Sequence, residues 1–161
     1  GFDFFYGISR SHGTSGPGGL KRLNTPQQST GPGWIKGRQV VGATAAGKEL
    51  VAGSYNYWEV GNVVDREAHA FLGQAVAGNK PFFLYFASTI PHLALQIPDE
   101  ELDQYPESWD AKPYLGEKGY LPHPRPRAAY AAMISRFDQE VGSIATALKR
   151  NEIDENTFIL F

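Results

Sequence analysis

Six consecutive apolar residues, Phe82-Phe83-Leu84-Tyr85-Phe86-Ala87, constrain this chain more than any other feature. Successive side chains of a β-strand point to opposite faces, so a run apolar on both faces needs cover on both. A central strand between two layers meets that need. Helical periodicity stands on either side of the run. Val64, Ala68, Phe71, Leu72 and Ala75 recur at helical spacing, with Asn62 as the expected cap, Asp65 favourable to the first turn and Gly78-Asn79 as a left-handed stop. Over residues 127–149, Tyr130, Ile134, Phe137, Val141, Ile144 and Leu148 are spaced 4, 3, 4, 3 and 4 apart, and Lys149 and Arg150 suit the negative end of the helix dipole. A tight connection through Asp154 and Asn156 feeds a second expected strand over residues 157–161. Strand, helix, strand in this order predicts a right-handed crossover within a mostly parallel sheet flanked by helices, an α/β fold.

The remainder is less regular. Of the 18 glycines, 13 lie at or before Gly61, so residues 1–61 read as glycine-rich loops with short strands over 38–41 and 49–51. Residues 62–161 carry the helix-strand-loop-helix-strand order, and the whole of 1–161 reads as part of one domain. A short helix is expected over 98–104, where Asp99, Glu100 and Glu101 complement the start. Residues 105–126 hold five prolines and are expected to form a long irregular loop.

Composition excludes several classes. Fifteen basic and 17 acidic residues leave a formal charge of −2, which argues against a nucleic-acid or anionic-membrane partner. No apolar run approaches the roughly 18 residues a membrane span needs. Cysteine is absent, so disulfides, zinc-thiolate sites and cysteine nucleophiles are excluded within the chain. The start at Gly1 has no signal-peptide pattern, and the hydrophobic run 157–161 stops abruptly; both ends read as cuts through something larger.

Candidate chemistry follows from position. Ligands of open parallel sheets bind beyond the carboxyl ends of strands, and Ser88-Thr89-Ile90-Pro91-His92 follows the central run. There His92 is placed to hydrogen-bond an anionic substrate or to act as acid or base; the alternative is a loop histidine packed against its neighbours. His123 lies among Pro122, Pro124, Arg125, Pro126 and Arg127, where stiffened cationic groups suit an anion at a cleft rim or, more simply, solvated loop charge. His12 and His69 read as structural. Asp138, beside the apolar stripe, is expected to accept hydrogen bonds from a neighbouring loop, with catalysis the alternative. The acidic run at Asp99, Glu100, Glu101 and Asp103 reads as helix-start electrostatics, so no metal site is assigned. Gly13 and Gly18 have phosphate-loop spacing, but Gly19 stands where the lysine is needed.

Lys80-Pro81-Phe82-Phe83-Leu84-Tyr85-Phe86 followed by Thr89-Ile90-Pro91-His92 resembles the sulfatase family of the alkaline-phosphatase superfamily. Three further segments agree in order. Gly1-Phe2-Asp3-Phe4-Phe5-Tyr6-Gly7 looks like the segment after the family's Gly-Lys-Trp-His motif. Tyr130-Ala131-Ala132-Met133-Ile134 with Asp138, Val141 and Gly142 is similar to its long helix. Asp154-Glu155-Asn156-Thr157-Phe158-Ile159-Leu160-Phe161 looks like the strand leading into Ser-Asp-Asn-Gly.

The resemblance implies an alkaline-phosphatase-like sandwich and hydrolysis of sulfate esters, arylsulfatase-like, on a sulfated small molecule or carbohydrate. It implies a formylglycine whose hydrate attacks sulfur, and a calcium ion that, with cationic residues, offsets the charge growing on the sulfate oxygens. It gives His92 contact with the sulfate near the leaving oxygen, and leaves His123 as a further substrate-binding candidate. The chain has no Cys, and Ser15-Gly16-Pro17-Gly18-Gly19 lacks the arginine of the Cys/Ser-x-Pro-x-Arg motif. The formylglycine and the calcium ligands are therefore expected outside the chain, an internal piece that is inactive alone and able to oligomerise through exposed sheet edges. Family habit implies export, although no Asn-x-Ser/Thr site occurs. A phosphoesterase or phosphonate hydrolase of the same superfamily, or a non-catalytic binding relic, are the alternatives.

Overall fold

The computed structural model describes residues 2–8, 34–37, 39–42, 44–45, 49–50, 60–93, 95, 97–117 and 122–161. The expectations for His12, Gly13, Ser15 and Gly18 lie outside them. Strand β1 (Tyr6–Ile8) pairs antiparallel with β2 (Trp34–Lys36), which pairs antiparallel with β3 (Gln39–Gly42). Gly37, at φ 61°, opens the turn between β2 and β3, a conformation glycine adopts without steric cost, and its N–H donates to the Phe5 carbonyl at 2.7 Å. A second antiparallel pair joins β4 (Thr44–Ala45) to β5 (Glu49–Leu50). The strands expected over 38–41 and 49–51 are thus found within one residue.

Helix α1 (Val60–Ala77) begins earlier than its sequence cap suggests, so Asn62 lies inside the first turn. Its end is as expected: Asn79 is left-handed at φ 47°, and the N–H groups of Gly78 and Asn79 close on the carbonyls of Gln74 and Val76. Helix α2 (Asp99–Leu102) is a single acidic turn, followed by a 3-10 turn at Glu107–Trp109. Helix α3 (Pro126–Arg150) is the longest element, with Pro126 in its first turn and Lys149 and Arg150 in its last.

The start of α3 is capped from a distance. Asp110 Oδ1 accepts the Arg127 N–H at 2.7 Å and Oδ2 accepts the Ala128 N–H at 3.0 Å, while Arg125 at the cap position makes no side-chain bond to the helix amides. A carboxylate on two orphan amides at the positive end of a helix is worth about 1 kcal/mol. The proline-rich loop is therefore held onto the helix it precedes. Tyr105 Oη and Ser135 Oγ meet at 2.5 Å, and Arg136 reaches Glu101 at 2.7 Å.

Beneath these contacts lies the main core: Ile97, Leu102, Ala128, Ala129, Ala132 and Met133, with Ile90, Leu95 and Tyr105 against it. Along its first turns the buried face of α3 is not the stripe read from the sequence, whereas Leu148, at the far end of that stripe, is buried. Tyr130 and Ile134 are exposed at 48% and 41%, and the alanines about 100° round the helix are buried instead. Small side chains there let the 97–105 segment approach the helix backbone closely. Further along, α1 packs on α3, burying Ala68, Leu72 and Leu148.

The two long apolar runs stand outside the described sheets. Residues 82–87 are extended and alternate between exposed and half-buried side chains, yet they belong to neither described sheet, and neither do residues 157–161. No parallel pair occurs among the described residues. Strand character needs a second backbone alongside, and here the run 82–87 meets rings: Phe82 lies edge-on to Phe71 at 6.1 Å, and Phe83 stacks on Phe2 at 6.0 Å.

Candidate functional site

A cavity of about 1010 Å³ opens between residues 2–7, one face of α1 and the run 80–89. Its wall is largely aromatic, with Phe4, Phe71 and Phe82 at its back. Ser88, Thr89 and His92 line it just after the apolar run, and Asp3 and Lys80 line it as well. Glu67 and Tyr6 also line it; burial, then the Glu67 carboxylate, pushes the Tyr6 phenol up. Lys36 of β2 reaches Glu67 at 3.4 Å and ties the small sheet to α1.

The turn after residue 87 delivers His92 to this wall. Its N–H donates to the Thr89 carbonyl at 2.9 Å, and the ring Nδ1 donates to the Leu93 carbonyl. With Nδ1–H so engaged, the neutral ring carries its lone pair on Nε2, and the protonated ring would donate from Nε2. An exposed imidazole in that state can hydrogen-bond an anion or transfer a proton. At the base of the turn, Ser88 Oγ accepts the Ile90 N–H at 3.3 Å and donates to Glu140 Oε2 at 2.8 Å.

Glu140 is the residue that sequence reasoning missed. It is 2% exposed, and burial pushes its carboxyl up against the opposing influence of the Ser88 hydrogen bond and Arg136. Asp138, expected to accept a loop hydrogen bond, is exposed. The described carboxylate that meets the loop stands two residues later. Its signal was the alanine face: Glu140 lies 11, 8 and 7 residues after Ala129, Ala132 and Met133, on one line along α3.

His123 does not join His92. It is 6% exposed, its backbone bridges Tyr114 in both directions at 2.9 Å, and Nδ1 accepts the Arg125 N–H at 3.1 Å; it is not among the cavity-lining residues. The neighbouring cations are engaged as well. Arg125 binds Asp103 at 2.8 Å and the carbonyls of Leu102 and Tyr105, and Arg127 reaches the Trp109 carbonyl. These groups hold the loop to the helix. His69, read as structural, sits between α1 and α3, with Nε2 3.1 Å from Ser143 Oγ, which donates to Asp65 at 2.6 Å.

Burial lowers the His123 pKa below the ordinary value of about 6.5. Between the two values the unfolded chain binds the proton and the folded chain does not, so this share of stability is present above about pH 6.5 and is lost as pH falls. His123→Asn keeps an acceptor for the Arg125 N–H and removes the titration. The variant is expected to show a flatter decline in melting temperature between about pH 7 and pH 5 than the parent. An unchanged slope assigns the acid sensitivity to other groups.

Among the described residues no three His, Asp or Glu side chains gather around one point, so they do not fit a metal ion. No described helix is long and apolar enough to cross a membrane.

The sulfatase family model matches residues 27–161, well over half of the chain. Among solved structures, Ps i-CgsB is similar with a TM-score of 0.60 and 24% identity over 94% of this chain and 30% of that one. Ps i-CgsB in complex with k-i-k-neocarrahexaose gives a TM-score of 0.58 and 25% identity over the same shares. The chain thus spans 30% of the length of these structures, and the likeness is one of fold.

Proposed function

Because the chain belongs to the sulfatase family, whose fold is an alkaline-phosphatase-like α/β sandwich, we propose that it is one part of a larger hydrolase acting on sulfate esters. The observation that carries the reading is His92, which lines the cavity wall just beyond the apolar run 82–87. In this reading the sulfate lies beside Ser88, Thr89 and His92 in the cavity. His92 hydrogen-bonds it near the ester oxygen and gives a proton to the departing alcohol, offsetting charge where it grows. In the same reading His123 is assigned to holding the loop through Tyr114 and Arg125.

Sulfatases bring a calcium ion and a formylglycine to this chemistry. The chain has no cysteine, and its described residues do not fit a metal ion, so both groups are assigned to other parts of the full-length protein and no step here runs through either. The mostly parallel sheet belongs to the same reading, with residues 82–87 and 157–161 finding their strand partners there. A sulfated carbohydrate is the proposed substrate, by analogy with the neocarrahexaose complex of the similar structure. Export and self-association through sheet edges are parts of the proposal that rest on the family and on exposed side chains such as Phe83 and Phe158.

The test is sulfate release from k-i-k-neocarrahexaose and from a simple aryl sulfate by the full-length protein, with matched phosphate esters alongside. Release of sulfate supports the reading. Release of phosphate alone replaces it with a phosphoesterase, and release of neither leaves a binding role.

A further inference from the structure

Glu140 has a carboxyl group with two different halves. Oε2 accepts the Ser88 hydroxyl at 2.8 Å, while Oε1 is buried with no hydrogen-bond partner. A buried acceptor left unsatisfied is costly, so a carboxyl at this point on α3 is a burden to the helix packing that Met or Leu would not impose. What the carboxyl gains is Ser88. That hydroxyl in turn accepts the Ile90 N–H, and one residue earlier in the turn the Thr89 carbonyl accepts the His92 N–H. The contacts run from the middle of the longest helix, through one hydroxyl, to Ile90, and a separate bond within the same turn joins His92 to Thr89.

We infer that Glu140 is a positioning residue for His92: it anchors Ser88 and thereby fixes the turn that carries the imidazole to the cavity wall. The inference deepens the proposed sulfate-ester reading and rests on it for the use made of His92. Its physical basis is rigidity. A side chain on a five-residue turn swings freely unless the turn is tied to a regular element, and α3 is the element within reach. The raised pKa of the carboxyl agrees with a group that acts as a buried hydrogen-bond partner and not as an exposed charge.

The experiment uses the full-length protein and two readouts. Glu140→Ala is expected to lower kcat for sulfate release about 10- to 100-fold, the usual cost of displacing a reacting group by about 1 Å. Glu140→Gln, which keeps an acceptor for Ser88, is expected to stay within about threefold of the parent. In a His92→Ala background, Glu140→Ala is expected to cost nothing further, because its effect passes through the imidazole. Independently of activity, hydrogen exchange of residues 88–93 should quicken in Glu140→Ala while residues 141–149 of α3 stay protected. The same loss in the His92→Ala background, or exchange of 88–93 at the parent rate, overturns the inference. If Glu140→Ala does not fold, Ser88→Ala is read in the same way, with lower kcat and faster exchange expected and parent values overturning it. A full-length protein that releases no sulfate refutes the proposed function alone, and the exchange comparison then decides the role of Glu140.

Discussion

The His92→Ala variant of the full-length protein is expected to lose roughly 10²- to 10⁴-fold in sulfate-ester turnover, the range typical of a positioned general acid or base. The ring is exposed, and its backbone N–H contact with Thr89 survives truncation, so little stability is at stake and the melting temperature should hold. An imidazole that meets the ester oxygen as charge develops there acts chiefly on the transition state. The loss should therefore fall on kcat, with KM changed much less. His92→Gln separates two contributions. A neutral amide can still hydrogen-bond the sulfate but cannot give up a proton, so it should recover part of the activity if binding matters and none if proton transfer is everything. Steady-state kinetics on a sulfated oligosaccharide, with thermal unfolding alongside, measures both. Turnover of His92→Ala near the parent value would remove the histidine from the reaction.

How much of this was legible in the sequence depends on the range of the interactions involved. Helix α3 was readable because its periodicity is local, and Gly78-Asn79 was readable as a stop because a left-handed residue is a local requirement. The cap of α3 was not. A search beside Arg127 finds prolines, whereas the capping carboxylate is Asp110, 17 residues earlier and brought in by the loop. The buried face of α3 failed for a related reason. Large apolar residues marked the stripe through Tyr130 and Ile134, but the tight approach of residues 97–105 selects the alanines. The strand expected over 82–87 was read from composition, which reports the need for cover on two faces. Pairing is a property of neighbours, and the described neighbours are Phe71 and Phe2. At the site, the place of His92 after an apolar run is legible in the sequence. Glu140 was passed over in favour of Asp138, since only the true orientation of the helix tells which carboxylate is inside.

Leu72→Ala is expected to cost the 161-residue chain roughly 2–5 kcal/mol, the range for a large-to-small change at a buried leucine. Leu72 is 2% exposed on α1, where that helix packs on α3, so truncation leaves a cavity that two long helices cannot easily close. The informative comparison is Ile134→Ala. The sequence stripe treats Ile134 as core, and its loss would then rival that of Leu72. The structure leaves it 41% exposed, and the expected cost is below about 1 kcal/mol, since part of the side chain is already in water. Urea unfolding midpoints of the two variants separate these views directly. A small loss for Ile134 and a large one for Leu72 means that the contact between α1 and α3 carries much of the packing in this chain and the exposed start of the stripe little. The same pair measured in the full-length protein then reports on the outer face: a cost for Ile134→Ala that rises well above its value in the 161-residue chain means that other parts of the protein cover the stripe, and the apolar spacing read from the sequence records that cover.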